Sequence, residues 1–585
     1  MRPYRTEQGP PNEPAERKGQ PMAGIPRRMD TAVLERVEVP MRDGVRLGGL
    51  LYRAGDEPRP VLLVRTPYSE PLSRSLPVLP ALESGFAVLV QSCRGTGDSE
   101  GGFRTFENET ADGLDTLGWL VKQPWCDGKV AMFGVSYLGM TQLAASGERP
   151  EGLAAIAPAF TPDDYRDGLA FRQGAFQLGQ ALAWHLLKAG QAIGDLARRG
   201  VDVREAGAAL GALLRDTEAA YRALPLADRP GVSAVLPSWR TWLAKEGEPE
   251  YWRGIGYADR RAGTTVPGLH VGGWFDLFLR GTLSNYTTLA AASGAPQHLI
   301  VGPWSHVDQS GVAGEFAYPG GAAAAIRLEE QQLRFLRESV AGGPSSLPPV
   351  QIYVMGRGWR TEDEWPLART DWQTWYLGAD GSLGRDRPAE GSLEYVHDPR
   401  DPVPTVGGAI LMIGSPDGGL AYQPGSRDQR VLDGRADILR FTGPVLEHDV
   451  EVTGPIEVTL YAATSAADAD FTAKLVDVHP DGRAMGVADG IVRARYRDGM
   501  DAPRPVVPGE VYAYTIDLGA TSLVFKAGHR IRLDVASSNF PWYDRNSGSG
   551  KPAGEVTEDD FVVARQRVHV GGARPSAVRL PVIPA

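Results

Sequence analysis

From Val33 onward apolar and polar residues alternate along "LERVEVPMRDGVRLGGLLYRAG", interrupted once at "RDG". A period of two around such a turn predicts a β-hairpin. The next apolar stretches are unbroken. "PVLLVRTPY" and "GFAVLVQSCRG" each carry a short continuous run that ends in a loop, the pattern of a buried strand. The period then changes: in "ADGLDTLGWLVKQPW", Leu114, Leu117, Leu120 and Val121 fall on one helical face. "DGKVAMFGVS" predicts a strand, "YLGMTQLAAS" a helix leaving it, and "GLAAIAPAF" a further strand. Strands alternating with helices imply a doubly wound, mostly parallel sheet.

Around Thr161 this pattern gives way to long Ala/Leu-rich stretches, "LAFRQGAFQLGQALAWHLLKAGQAIGDLARRG" and "VREAGAALGALLRDTEAAYRAL", which predict a helical insertion. "PSWRTWLAKEGEPEYWRG" closes the insertion with three tryptophans, and the sheet resumes with "VPGLHVGGWFD", "HLIVGPWSH" and "PPVQIYVMG". After Asp371 come short strands separated by Gly, Pro and Asp turns, among them "IEVTLYAATS", "FTAKLVDVHPDG" and "HRIRLDVASS", the signature of an antiparallel sandwich or jelly roll. The expected organisation is a disordered N-terminal extension over 1–30, a catalytic α/β unit built from 31–161 and 262–370, a helical cap over 162–261, and an all-β jelly roll over 371–585.

Composition narrows the function. The 585 residues are 42% hydrophobic and 23% charged, which fits a soluble globular chain of several domains. A net charge of −11 argues against nucleic acid as a partner, because phosphate binding needs a basic surface. No run of 18 apolar residues is present, so no membrane span is expected. The first residues are polar and Pro-rich without the apolar core of a signal peptide, and cytoplasmic residence is the expectation. Two cysteines, Cys93 and Cys126, make neither a disulfide framework nor a metal quartet. No spacing suggests zinc, and neither a metal nor a cofactor is expected.

"VAMFGVSYLGM" places a candidate chemistry. A strand running into a helix through "GVS" resembles a nucleophile elbow, yet the usual elbow reads G-x-S-x-G. Here Gly134 stands two before Ser136, Leu138 two after it, and Gly139 three after it. A serine needs a base, a group orienting that base, and donors for the oxyanion. In an α/β-hydrolase the partners follow in the order Ser, Asp or Glu, His, from the C-terminal ends of strands. "LHVGGWFD" ends on Asp276 and "LIVGPWSH" on His306, in that order. Of the nine histidines only His306 is well placed: His185 lies in the insertion, His270 and His298 at the wrong ends of strands, and five others in the β region. The amide of Tyr137, next after the nucleophile, is one expected oxyanion donor. "VRTPY" puts Tyr68 in the loop after a central strand, where its hydroxyl is either a second donor or a packed surface aromatic. "GTGDSEG" is not a dinucleotide loop, since Glu100 stands where that loop needs a small residue, and a turn beneath the site is expected. Cys93 reads as a packed residue. In "DDYRDG", Asp163 and Asp164 either cap a helix or meet a substrate ammonium.

Taken together, "RTPY", "RGTGDSEG", "QPWCDGKVAMFGVSYLG", "GGWFD", "GPWSH" and "NFPWYDRN" resemble the cocaine-esterase-like (CocE/NonD) serine hydrolases, which group with the Xaa-Pro dipeptidyl-peptidases and α-amino-acid ester hydrolases. The resemblance runs from about Val33 to near the C-terminus, and the family's elbow, G-x-S-Y-x-G, carries its glycine at plus three. It implies an α/β-hydrolase with a helical cap and a C-terminal jelly roll, with Ser136 as nucleophile, His306 as base and Asp276 as its orienter. It also implies an oxyanion hole made by the Tyr68 hydroxyl and the Tyr137 amide, and an acyl pocket lined by Phe278; Trp542, in the "NFPWYDRN" loop, is expected to wall the site. The substrate would be a small-molecule ester or, alternatively, an amide or peptide (a β-lactam or an Xaa-Pro dipeptide). In the amino-acid ester hydrolase relatives acids follow the triad aspartate; "DLFLRG" here has none, which favours the ester. A non-catalytic binding protein is the contrasting alternative, distinguished by loss of ester turnover. The oligomeric state is left open.

Overall fold

The computed structural model describes residues 32–68, 76–414 and 422–584. The expected N-terminal extension lies outside the described residues. Ten strands form the larger sheet: β1 (Val33–Pro40), β2 (Arg46–Arg53), β3 (Arg59–Thr66), β4 (Ala87–Ser92), β5 (Cys126–Val135), β6 (Leu153–Ala159), β7 (Gly268–Phe275), β8 (Gln297–Ser305), β9 (Val350–Val354) and β10 (Gly358–Glu362). Their spatial order is β1-β2-β4-β3-β5-β6-β7-β8-β9-β10. β3 pairs in parallel with both β4 and β5, and parallel pairing continues from β5 to β9. β1, β2 and β10 are antiparallel additions at the two edges. The chain thus steps from β3 to one side and then crosses to the other, creating the switch point beside which such sheets bind ligands at their C-terminal ends. The continuous apolar runs read from sequence are these inner strands: β7 and β8 are buried along their whole length, as expected of a parallel sheet covered on both faces.

The helices that cover the sheet include α1 (Glu109–Leu120) and α2 (Tyr137–Ser146), the latter leaving β5 directly. Between β6 and β7 lies the insertion, with α3 (Leu178–Arg198), α4 (Arg204–Arg215), α5 (Ser238–Ala244) and α6 (Pro249–Ile255). After β7 and β8 come α7 (Leu279–Ala292) and α8 (Leu328–Val340). The insertion is less continuously helical than its periodicity predicts. Phe171–Arg172 pair with Ala175–Phe176 as a tight antiparallel turn, with Gln173 and Gly174 both at positive φ, and the helix begins only at Leu178. Phe171 and Phe176 are both fully buried, so the apolar residues that mimic a helical face there belong to a hairpin. A second break falls at Asp216, whose side chain accepts from the Ala219 N–H at 2.9 Å and starts a new short helix.

The C-terminal region is all-β. Its main strands are β11 (Asp371–Leu377), β12 (Gly391–His397), β13 (Leu439–Thr442), β14 (Val450–Thr464), β15 (Asp470–Val478), β16 (Ala484–Arg493), β17 (Tyr512–Phe525), β18 (Arg530–Ala536), β19 (Ala564–Val570) and β20 (Ala577–Ile583). One sheet is seven-stranded and runs β11-β20-β14-β19-β12, with a two-residue strand, Leu383–Gly384, beside β11 and with β17 also on β14; the other runs β13-β18-β15-β16. A single apolar core fills the space between them, with Phe441, Leu475 and Leu533 from the smaller sheet and Val458, Tyr514 and Val568 from the larger. No helix of the described residues is long and apolar enough to cross a membrane.

Candidate active site

Each candidate residue stands where a parallel strand ends: Tyr68 beyond β3, Ser136 beyond β5, Asp276 beyond β7 and His306 beyond β8. Side chains distant in sequence therefore meet along one sheet edge. Ser136 holds φ 59° and ψ −124°. A non-glycine residue in that region is strained, and it persists only where the surroundings over-determine it. Here they do: the Ser136 N–H donates to the Ala159 carbonyl at 2.8 Å, and its own carbonyl accepts from the N–H groups of Gly139 and Met140 at 2.8 and 2.9 Å.

The two flanking glycines explain the unusual elbow. Gly134 has φ 149°, and a Cβ there would run into the Leu138 side chain. A Cβ on Gly139 would lie 2.5 Å from Thr161 Cγ2 and 3.3 Å from the Ala159 nitrogen. The close crossing of helix and neighbouring strand thus falls on the third residue after the serine, and the second can be leucine. The plus-three glycine read from the sequence has this steric cause.

His306 joins the other two. Its Nδ1 lies 2.6 Å from Asp276 Oδ2 and its Nε2 3.0 Å from Ser136 Oγ. Asp276 is buried, and its other oxygen accepts from the Phe278 N–H at 2.7 Å, which fixes the carboxylate plane. A carboxylate can only accept, so Nδ1 carries the proton toward Asp276 and Nε2 is left to accept from the serine hydroxyl. The imidazole is flanked edge-on by Phe278, with ring centres 5.4 Å apart, and by Phe160 at 6.1 Å.

The Tyr137 N–H is the first of α2 and has no partner within the helix. Its side chain anchors that turn from below: the Tyr137 hydroxyl donates to Glu109 Oε1 at 2.9 Å and accepts from the Phe106 N–H at 3.2 Å. Glu109 is itself paired with Arg65, Nη1 to Oε2 at 3.0 Å, and both are buried. Tyr68 accepts from Trp184 Nε1 at 3.1 Å. Burial pushes the Tyr68 hydroxyl up to about 12, with hydrogen bonds to Trp184 and Ser136 pulling the other way. The phenol therefore keeps its proton, and remains a donor, throughout the neutral range.

These groups open on a cavity of about 1180 Å³. Its walls are mainly apolar, with Phe133, Phe160, Leu169, Trp184, Trp242 and Phe278 among them. The Gln180 Oε1, buried and without a hydrogen-bond partner among the described residues, belongs to the same lining. Among the described residues, the acidic side chains in the lining are Glu329 and Glu330, both exposed, with Glu330 paired with Arg327 at 2.9 Å.

Not every expected residue arrives here. Trp542 is buried behind α3, where its carbonyl accepts from the Gly179 N–H at 3.0 Å and its ring would lie 2.9 Å from a Cβ on Gly179. It does not line the cavity. The all-β region instead contributes Leu411, Met412 and Ile413, and Ile413 is tied to the insertion through the Tyr221 hydroxyl. Asp163 and Asp164 also lie away from the cavity. Asp164 Oδ1 accepts from the N–H groups of Arg166 and Asp167 at 2.6 and 2.9 Å, so it caps a turn and not a helix; Asp163 lies 3.7 Å from Arg261. "GTGDSEG" makes a tight turn after β4, with the Gly95 N–H donating to the Glu100 carbonyl. Cys93 is fully buried, its thiol 3.5 Å from Glu109 Oε2, and burial pushes the thiol well up. Sequence reasoning missed Trp184 and Phe160. A lone tryptophan amid the alanines and leucines of the insertion was the available signal for the first, and no local signal marked the second.

A strained serine, a histidine and a buried aspartate, joined in one hydrogen-bonded chain at the C-terminal edge of a doubly wound sheet, define a serine hydrolase with the α/β-hydrolase fold. The model of the X-Pro dipeptidyl-peptidase (S15 family) matches residues 43–308, and that of the X-Pro dipeptidyl-peptidase C-terminal non-catalytic domain matches 343–579. The chain is 38% identical over 590 residues to the cocaine esterase of Rhodococcus sp. (strain MB1 Bresler), covering 94% of this chain and 99% of that one. Among solved structures, an aminopeptidase from a marine sediment Thaumarchaeota archaeon superposes with a TM-score of 0.80 at 26% identity, over 97% of this chain and 99% of that one. An α-amino acid ester hydrolase does so with a TM-score of 0.76 at 26% identity, over 97% and 98%. The chain belongs to the cocaine-esterase-like serine hydrolases, and it is an enzyme of the serine esterase kind.

Proposed function

We propose that Ser136, His306 and Asp276 are the catalytic residues of this esterase and that it cleaves carboxylic esters of small, largely apolar molecules through an acyl-enzyme. The observation that carries this reading is the continuous chain from Asp276 through His306 to Ser136 Oγ, opening on an apolar cavity. Ser136 Oγ attacks the ester carbonyl while His306 Nε2 takes its proton. Asp276 holds the imidazole in the reactive tautomer and favours the imidazolium as it forms. The oxyanion is received by the Tyr68 hydroxyl and the Tyr137 N–H, donors oriented before reaction by Trp184 and by the Glu109–Arg65 pair. His306 then protonates the leaving alcohol, activates a water on the acyl-enzyme, and the acid departs.

Amide or peptide hydrolysis on the same triad is the second reading, supported by the S15 family match. A dipeptidyl-peptidase must neutralise a free α-ammonium. Among the described residues the acids lining this cavity are the exposed Glu329 and Glu330, far less suited to that task than buried carboxylates. The test is turnover of p-nitrophenyl esters of varied acyl group beside one Xaa-Pro anilide, on wild type and Ser136→Ala. Ester turnover that vanishes in the variant supports the proposal. An Xaa-Pro anilide preferred over every ester would move the assignment to peptides. Cytoplasmic residence belongs to the same proposal and is supported by two cysteines that are both buried and unpaired.

A further inference from the structure

The smaller sheet of the all-β region carries a second His–Asp cluster that the esterase reaction does not use. β15 and β18 pair antiparallel, and the last registered pair is Val478 with Arg530. One step beyond it, His479 stands opposite His529, and their rings are 4.2 Å apart. Asp477 lies two residues before His479, so strand alternation puts its side chain on the same face. Three donors from two strands thereby converge. His529 Nδ1 is 2.9 and 3.1 Å from the two Asp477 oxygens, and His479 Nε2 is 3.5 Å from Oδ2. One ligand atom from each residue lies within 4.8 Å of the other two.

A single His–Asp pair would need no further explanation. Two imidazoles stacked over one carboxylate are different. Both rings bring a nitrogen to the same carboxylate, so three donor atoms face one small space. Tetrahedral zinc with bonds of about 2.0–2.1 Å holds its donors roughly 3.3 Å apart. The two edges that include Asp477, at 2.9 and 3.5 Å, straddle that value, and all three ligand atoms lie within 4.8 Å of one another. Asp477 is buried and both histidines are partly exposed, which leaves a solvent-side position for water.

We infer that Asp477, His479 and His529 form a binding site for a divalent transition ion of the zinc class, which ties the end of β15 to the start of β18. The donor set, two imidazoles and one carboxylate, suits zinc and its neighbours better than calcium or magnesium. Other groups bear on the site. Arg483 Nη2 is 3.4 Å from His479 Nδ1, an unfavourable neighbour for a cation, but Arg483 is half exposed and is held by Asp481 at 2.8 Å. The Phe316 ring stacks on His479 from the other side, with centres 6.0 Å apart. The spacing could not announce this site. Two ligands are two residues apart on one strand, and the third is separated from Asp477 by 52 residues.

The test is zinc chloride titration by calorimetry, with bound metal counted after dialysis, on the full chain and on the variants His479→Ala, His529→Gln, Arg483→Ala and His306→Ala. The expected result is one zinc per chain and a thermal midpoint that rises with zinc by mass action. Affinity should fall by about 100-fold or more in either histidine variant, since even outer partners of metal ligands are worth about 10–100-fold. It should rise in Arg483→Ala and stay unchanged in His306→Ala. Ester turnover should be indifferent to zinc removal by a chelator. No saturable uptake by the wild-type chain, uptake equal in wild type and both histidine variants, or uptake lost only in His306→Ala would each overturn the inference. Circular dichroism of the His529→Gln variant, which keeps a polar side chain of similar size, separates lost ligation from lost folding.

Discussion

The pairs His306–Asp276 and His529–Asp477 are of the same chemical type, one at strand ends of each of the two main folds, and they are built differently. In the pair His306–Asp276, one nitrogen faces a single carboxylate oxygen at 2.6 Å and the opposite nitrogen faces a hydroxyl. The second carboxylate oxygen is held by the Phe278 N–H, and aromatic edges flank the ring. In the pair His529–Asp477, one nitrogen shares both carboxylate oxygens, and a second histidine ring lies 4.2 Å from the first, against the same carboxylate. A His–Asp contact is thus not in itself catalytic. The proposed catalytic role of His306–Asp276 rests on the strained serine on its far side and on the candidate oxyanion donors.

Removing the serine breaks the comparison most severely. Ser136→Ala should lower kcat by about 10⁶-fold while leaving the thermal midpoint near that of wild type. Steady-state kinetics on protein free of contaminating esterase is the check, and residual turnover above about one per cent would place the nucleophile elsewhere. Next comes the direct contrast between the two histidines. His306→Ala should cost nearly as much, because the triad acts as a unit, whereas His529→Gln should leave kcat unchanged on the same ester. Equal losses in both would erase the distinction drawn here.

Tyr68→Phe should act on kcat more than on KM, by roughly 10²-fold, as for other single oxyanion donors. Trp184 loses its acceptor in that variant, so the midpoint is measured alongside. An unchanged kcat would remove Tyr68 from the site. Gly139→Ala should cost about 1–3 kcal/mol in denaturant unfolding, since its methyl meets Thr161 and the β6 backbone; no loss of stability would mean the elbow has room to spare. The smallest expected effect is in fact a constancy. A donor is lost as its hydroxyl ionises with rising pH, and Tyr68 is held up at about 12. The ratio of wild-type to Tyr68→Phe kcat should therefore stay level from pH 7 to about 10.5. An ordinary tyrosine would halve it near pH 10, and a ratio falling at that point would show that the hydroxyl is not buried as described.

Much of this site was legible from single residues. Ser136, Asp276 and His306 each follow an apolar run that ends in a Gly-containing turn, and parallel strands bring such ends to one edge whatever lies between them. The expectation for Trp542, drawn from the resemblance and not from a strand end, was not met, since Trp542 does not line the cavity. It sits in a loop whose motif is as distinctive as any in the chain, but a loop's sequence does not say which wall it packs on. Gly179 on α3 makes the room that Trp542 shares with Met412, and of the two only Met412 lines the cavity. The helical reading of Leu169–Gln177 failed for a related reason. Apolar residues at 171 and 176 fit one helical face, and only the tertiary setting shows that both rings are buried across a two-residue turn.

By itself the sequence marked most strands and helices, the insertion and the all-β region, and it singled out Ser136, Asp276 and His306 as the candidate triad, because these follow from local periodicity and from the rule that parallel sheets present their C-terminal ends together. It also carried the plus-three glycine, though not its cause. The tertiary structure alone decided which side chains share the cavity, that Trp184 bonds to Tyr68 and Glu109 joins Tyr137 to Arg65, and that Asp477, His479 and His529 converge. Those contacts join residues from tens to more than a hundred positions apart, and what selects them is steric fit and the pairing of buried polar groups, neither of which leaves a periodic trace along the chain.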